Sequence, residues 1–271
     1  MKSALAGVLL FLAALAVLGA PLDAPVPKTV YLEDMTWVEV KAALEKGKNG
    51  VIVPTAGHEQ NGPHMVLGKH HYVVRHTAGR IAEELTTALV APVVTYAPEG
   101  DIAPPGGHMI LPGTISLPPR VFGEILEFTA LSLRAHGFKN IYFLGDSFDN
   151  QAVQAEVAER LNRDWSGSGI RVLHVSDYYA ANRQIEWLLE QGETESTIGS
   201  HAGIRDTSEL MAVHPEGVRG DMLNPKWGLH LGFTGANGDP TRASVARGES
   251  LLRLKIDAAM RQIRAASPSG K

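Results

Sequence analysis

The 271-residue sequence contains no cysteine. That excludes a disulfide framework, a thiolate metal ligand and a lipidated cysteine. Any bound metal must be held by His, Asp, Glu or Asn, and any covalent nucleophile must be Ser or Thr. The sequence has no basic run and no interleaving of aromatic with basic residues, and its formal charge is −4. Nothing in it therefore recruits nucleic acid. No internal repeat divides it. What is present is globular composition, 44% hydrophobic and 20% charged, in a length that suits one large domain.

The N-terminus is the exception to that even composition. Residues 1–20, "MKSALAGVLLFLAALAVLGA", place one lysine before an apolar run. The length and polarity are those of a secretory signal peptide, with Gly19 and Ala20 offering a cleavage site. An uncleaved N-terminal anchor is the alternative. Either way the folded part is expected to be exported, periplasmic or secreted, with no other membrane contact. Residues 21–28 read as a proline-rich linker, residues 29–266 as the folded domain and residues 267–271 as a polar tail.

Strand and helix signals alternate along the domain. Short apolar runs at 50–55, 88–97, 140–145 and 170–176 predict buried strands. Helical patterns at 36–47, 72–87, 119–136, 150–163, 178–190, from about 206, and at 243–265 separate or follow them. This order predicts a mostly parallel sheet with helices on both faces. Functional loops in such sheets lie at the carboxyl ends of strands. That rule selects residues 55–71, 97–114 and 145–150, where histidines and acids concentrate.

In the first loop, "GHEQNGPHMVLGKHH", Glu59 and His70 are the ligand candidates, since carboxylate plus neutral imidazole suits zinc, manganese or iron. His64 is a weaker candidate, and His58, His71 and His76 read as packed away or solvated. In the third loop, Asp149 is either a ligand or the cap of the following helix. Asp146 and Ser147 share that loop, and His108 follows a Gly-rich stretch in the second. His201 sits among small residues, as a general acid or base does, and equally as a surface histidine does. The turn "GANGDP" reads as pure structure.

Together these segments resemble the creatininase (creatinine amidohydrolase) family. Its opening motif, E-Q-H-G-P-H-L-P-L-x-T-D, falls on Glu59 to His70, and its "PGT-I-S-L" loop is intact at Pro112 to Leu117. Its "N-G-H-x-(G/E)-N" turn falls on Gly145 to Asn150, its "H-A-G-x-x-E-T-S" motif on His201 to Ser208 and its "G-x-x-G-D-P" turn on Gly235 to Pro240. The resemblance implies a three-layer αβα fold, hydrolysis of cyclic amides or related C–N bonds, usually two divalent ions, and often a hexamer. It implies His201 as the catalytic histidine, with Asp206 standing where the family has Glu. This sequence departs from the pattern at the ligands: Asn61 and Ser147 replace two histidines, and His70 replaces the bridging aspartate.

An imidazole cannot bridge two cations as a carboxylate does. The expectation is therefore at most one ion, held by Glu59, His70 and Asp149. His201 and Asp206 would be catalytic, and Asn61, His64, His108, Asp146 and Ser147 would contact a small substrate. The function expected is metal-dependent hydrolysis of a small amide or cyclic amide. The alternative is an exported binding protein that keeps the fold and pocket without catalysis. A serine hydrolase built on Ser147 is disfavoured, because "GDSFDN" lacks a glycine-flanked nucleophile elbow.

Overall fold

The computed structural model describes residues 28–229 and 234–266. The export segment at 1–20, the linker short of its last residue and the tail at 267–271 lie outside the described residues. Strands β1 (Gly50–Thr55), β2 (Ala88–Val90), β3 (Asn140–Gly145) and β4 (Arg171–His174) form one sheet. Their order is β2-β1-β3-β4, and every pairing is parallel.

Among the described residues the α-helices of four residues or more, in chain order, are α1 (Trp37–Glu45), α2 (Lys69–Leu85), α3 (Pro119–Ala135), α4 (Gln151–Asp164) and α5 (Asp177–Ala180). They continue as α6 (Gln184–Glu190), α7 (Glu195–Ile198), α8 (Ile204–Val213) and α9 (Val245–Ala266).

Alternation along the strands makes the three layers. Val51, Val53, Ile141 and Phe143 pack with Phe122 and Leu126 of α3 and Val157 and Leu161 of α4. Ile52 and Leu144 point to the other face, against Val74 and Ile81 of α2 and Ile256 and Met260 of α9. Each such fully buried side chain contributes about 1.5–3 kcal/mol. Thr36 and Glu39 close a capping box that starts α1, with Thr36 N–H donating to Glu39 Oε2 at 2.7 Å. Among the described residues no helix is long and apolar enough to cross a membrane.

Three boundaries differ from those the pattern predicts. The strand expected over 88–97 pairs continuously only to Val90, because Pro92 has no N–H to continue the ladder. Beyond it the chain makes isolated bridges only, to the sheet at Thr55 from Val94 and to its own later loop at Ser116 from Ala97. The helix expected over 178–190 is broken into α5 and α6 by Asn182, whose side-chain amide donates to Tyr178 O at 2.9 Å and accepts from Gln184 N at 3.0 Å. Finally, α2 begins at Lys69 rather than near Tyr72, which puts Lys69 and His70 in its first, buried turn. That last shift matters most for the site.

Glu193 ties the loop between α6 and α7 to the turn before α9 and to its first turn. It accepts from Arg242 Nε at 2.6 Å and NH2 at 2.9 Å, and from Arg247 NH2 at 2.6 Å. Hydrogen bonding to Arg242 pulls its carboxyl down from 4.5 to about 2. A carboxyl lowered on folding adds stability above its unfolded pKa and loses it as pH falls through the folded one. Glu193→Gln is therefore expected to lower the melting temperature at pH 7. The gap to the wild type should close between about pH 4.5 and 2, as thermal scans across that range would show.

Candidate active site

Register brings the chemistry together. Thr55 at the end of β1 pairs with Gly145 at the end of β3, so the loops that follow leave the same sheet edge side by side. The loop after β2 crosses over them, held by His58 to Ile115 pairing and by Thr114 Oγ1, which accepts from Gln60 N at 3.0 Å. A cavity of about 480 Å³ opens there, lined by Glu59, His108, Ser147, Asp149 and His201 among others.

Glu59 is the centre of the arrangement and is buried. Its Oε1 lies 2.8 Å from His70 Nε2 and 3.7 Å from His201 Nδ1, and its Oε2 lies 3.3 Å from His108 Nε2. Burial opposes its charge, but the attraction of His70 and the hydrogen bond from it hold the carboxyl well below the ordinary range. The other nitrogen of His70, Nδ1, lies 2.8 Å from Asp146 Oδ2. A ring with a carboxylate oxygen at each nitrogen must carry a proton on both. Burial and the neighbouring Lys69 resist that charge, yet Glu59 and the hydrogen bond to Asp146 outweigh them and raise the pKa. His70 is thus a buried cation between two acids.

Behind His70 the charges continue to alternate. Asp146 also accepts from Tyr178 Oη at 2.9 Å and is ion-paired to Lys255, whose Nζ in turn lies 3.2 Å from Glu209 Oε2. Lys69 Nζ lies 3.2 Å from Asp206 Oδ1, and Asp206 Oδ2 accepts from Ala202 N at 2.7 Å. Both oxygens of Asp206, expected to be catalytic, are therefore engaged.

The unbalanced part of the site lies on its other side. Both Glu99 oxygens are buried and meet no hydrogen-bond partner among the described residues. Burial, and then the adjacent Glu59, push the Glu99 carboxyl up to about 11. Gly57 makes its position possible, since a Cβ there would fall 1.9 Å from Glu99 Oε1. Asp149 is raised too, chiefly by burial. It does not cap α4, whose N-cap residue is Asn150 and which has no side-chain cap bond.

Two groups of donors converge closely enough for an ion. Glu59, His108 and His201 form one, and Glu99, His108 and Asp149 the other, with ligand atoms in each within 4.8 Å of one another. His70 belongs to neither. His201 donates from Nε2 to Gln60 O at 2.9 Å, which leaves Nδ1 unprotonated toward Glu59. Burial lowers its pKa, so the ring is neutral.

Of the expected substrate contacts, His108, Asp146 and Ser147 line the cavity. Asn61 and His64 do not. The Asn61 amide donates to Glu59 O at 2.9 Å, and His64 Nε2 pairs with Thr207 Oγ1 at 2.9 Å in a site that burial drives to a pKa of about 4. The "GANGDP" turn does more than turn. Asn237 N donates to His201 O at 2.7 Å and its side chain accepts from Ser200 N at 2.8 Å, fixing the catalytic candidate. Sequence reasoning missed Glu99, although the strand-end rule had selected its loop. It also missed Lys255, whose signal is a lysine between Leu251, Leu252, Ile256 and Ala259 on the buried face of α9.

The chain is thus an all-parallel α/β sandwich with carboxylates and imidazoles gathered at its strand ends. The family model described as creatinine amidohydrolase matches residues 33–263, and the chain belongs to the creatininase family. A creatinine amidohydrolase of Pseudomonas putida is 25% identical over 194 residues, 70% of this chain and 74% of that protein. A mycofactocin precursor peptide peptidase of Mycolicibacterium smegmatis is 25% identical over 227 residues, 80% and 85% of the two chains. Solved creatininases of a Zn–Zn type and a manganese form share the fold, with TM-scores of 0.74 and 0.73 at 22% and 23% identity. Each alignment covers 89% of this chain and 100% of theirs.

Proposed function

We propose that this protein hydrolyses the C–N bond of a small amide or cyclic amide with the help of a single divalent ion. The observation that carries the reading is the convergence of the buried Glu99 carboxyl, a second raised acid, Asp149, and the imidazole of His108 on one point. Two carboxylates with no internal cation match the charge of one dication, whereas the charge of Glu59 is already met by His70. Glu99, His108 and Asp149 would hold the ion. Zinc and manganese, named for the solved relatives, both accept such donors. When bound, the ion supplies a water of lowered pKa and polarises the amide carbonyl.

The rest falls to the chain. His70 and Asp146 hold Glu59 in place, and the buried carboxylate faces the site without being able to swing away. His201, pinned through Nε2 to Gln60 O, takes up and passes on a proton at Nδ1, toward the leaving nitrogen. The names of the two curated relatives, an amidohydrolase and a peptidase, support C–N hydrolysis as the reaction. Export, read from residues 1–20, would place that reaction outside the cytoplasm.

Release of amine or carboxylate from a panel of lactams, cyclic ureides and short peptides tests the proposal. Activity is expected to disappear with chelator and return with zinc or manganese. Turnover unaffected by chelation, or absent across the panel in metal-loaded protein, would count against it.

A further inference from the structure

The cavity has a wall that hydrolysis does not use. Arg205, in the first turn of α8, and Tyr179, in α5, both line it. Among the described residues the Arg205 guanidinium has no hydrogen bond and no direct ion pair, and the Tyr179 hydroxyl has no hydrogen bond. Every acid that acts on Arg205 is already engaged elsewhere. Asp206 is held by Lys69 and Ala202 N, Glu209 by Lys255 and Gln184, and Asp146 by Lys255, His70 and Tyr178. Burial works against the charge of Arg205, but Asp206 and Glu209 raise its pKa further, so it is a permanent cation. Tyr179, pushed up to about 12 by burial, remains a donor.

A planar guanidinium fork beside a neutral hydroxyl suits a planar monoanion. A dianion is a poorer match, since Asp146, Asp206 and Glu209 all stand around Arg205 and repel added negative charge. Phe148 and Ile110, exposed at 73% and 50%, offer the hydrocarbon surface at the same cavity.

We propose that the substrate is an amide bearing a carboxylate, and that Arg205 with Tyr179 binds that carboxylate. This rests on the hydrolase reading of the same cavity. It makes Arg205 a specificity-determining residue outside the groups that would hold metal.

Calorimetry with matched pairs tests it without requiring turnover. The probes are L-pyroglutamate against its carboxamide, and N-acetylglycine against N-acetylglycinamide, titrated into the full-length protein. Wild type is expected to bind at least one acid about 10- to 100-fold more tightly than its amide, the worth of a hydrogen bond to a charged group. Arg205→Met should abolish that preference, Arg205→Lys should restore part of it, and Tyr179→Phe should reduce it several-fold. Tyr179→Phe keeps the ring packing and so serves if an arginine variant folds poorly. Equal binding of acid and amide by wild type, no binding of either acid at millimolar concentration, or a preference that survives in Arg205→Met would overturn the proposal. Acid preference without hydrolysis of any amide would instead count against the hydrolase reading alone.

Discussion

Replacing Glu99 with glutamine is expected to strip the protein of its divalent ion. The change keeps the shape of the side chain and removes its charge, beside a glycine that admits this shape closely. Losing an outer partner of a metal ligand typically weakens binding 10- to 100-fold, so losing a direct carboxylate should cost at least about 100-fold. The signature is a stability measurement with and without metal. Wild type should melt higher when zinc or manganese is added, by the equivalent of about 2.7 kcal/mol at a hundredfold excess over Kd. Glu99→Gln should melt close to the metal-free wild type and respond little to the ion. The Glu99 carboxyl already holds its proton when no cation is near, so glutamine stands in for it at little cost. A variant that still gains full stability from metal would show that Glu99 is no ligand.

The second large effect concerns stability alone. Lys255 neutralises Asp146 and Glu209 deep in the fold, and all three are buried. Lys255→Met keeps most of the stem's volume but takes from both carboxylates the ammonium they share, leaving Asp146 only His70 and Tyr178. Breaking a buried pair by removing one partner typically costs about 3–5 kcal/mol, and in a chain of this size roughly 10 °C of melting temperature. Asp146 also orients His70, so the damage should reach the site: Glu59 loses the imidazolium that holds it. Chemical denaturation would measure the loss. A change below about 1 kcal/mol would mean that the buried charges relax more easily than the packing suggests.

The layers of this fold were legible because its strands are. Residues 50–55 and 140–145 are apolar runs too short for helices, and both become central parallel strands as read. From them the strand-end rule selected the loops that now line the cavity. What failed to show was the pairing of charges across long stretches of chain. His70 has the residue type of a ligand, and only the fold reveals that Asp146, 76 residues away, takes its second nitrogen. Asn61 and His64 sit inside the opening motif, yet in the fold they turn to the Glu59 carbonyl and to Thr207 rather than to the cavity. Glu99 is one acid in a loop of glycines and prolines. Its importance comes from burial, which no local pattern announces. Lys255 was the most readable of the omissions, since a lysine on the apolar face of a long helix needs a buried acid to answer it.

The central claim is that one ion serves this site, because His70 stands as a proton-borne cation where the family pattern has a bridging acid. Elemental analysis of the purified protein after dialysis against metal-free buffer tests this most directly. The account predicts one zinc or manganese retained per chain. Two ions retained per chain would contradict it, and so would a protein that retains none after loading with either metal.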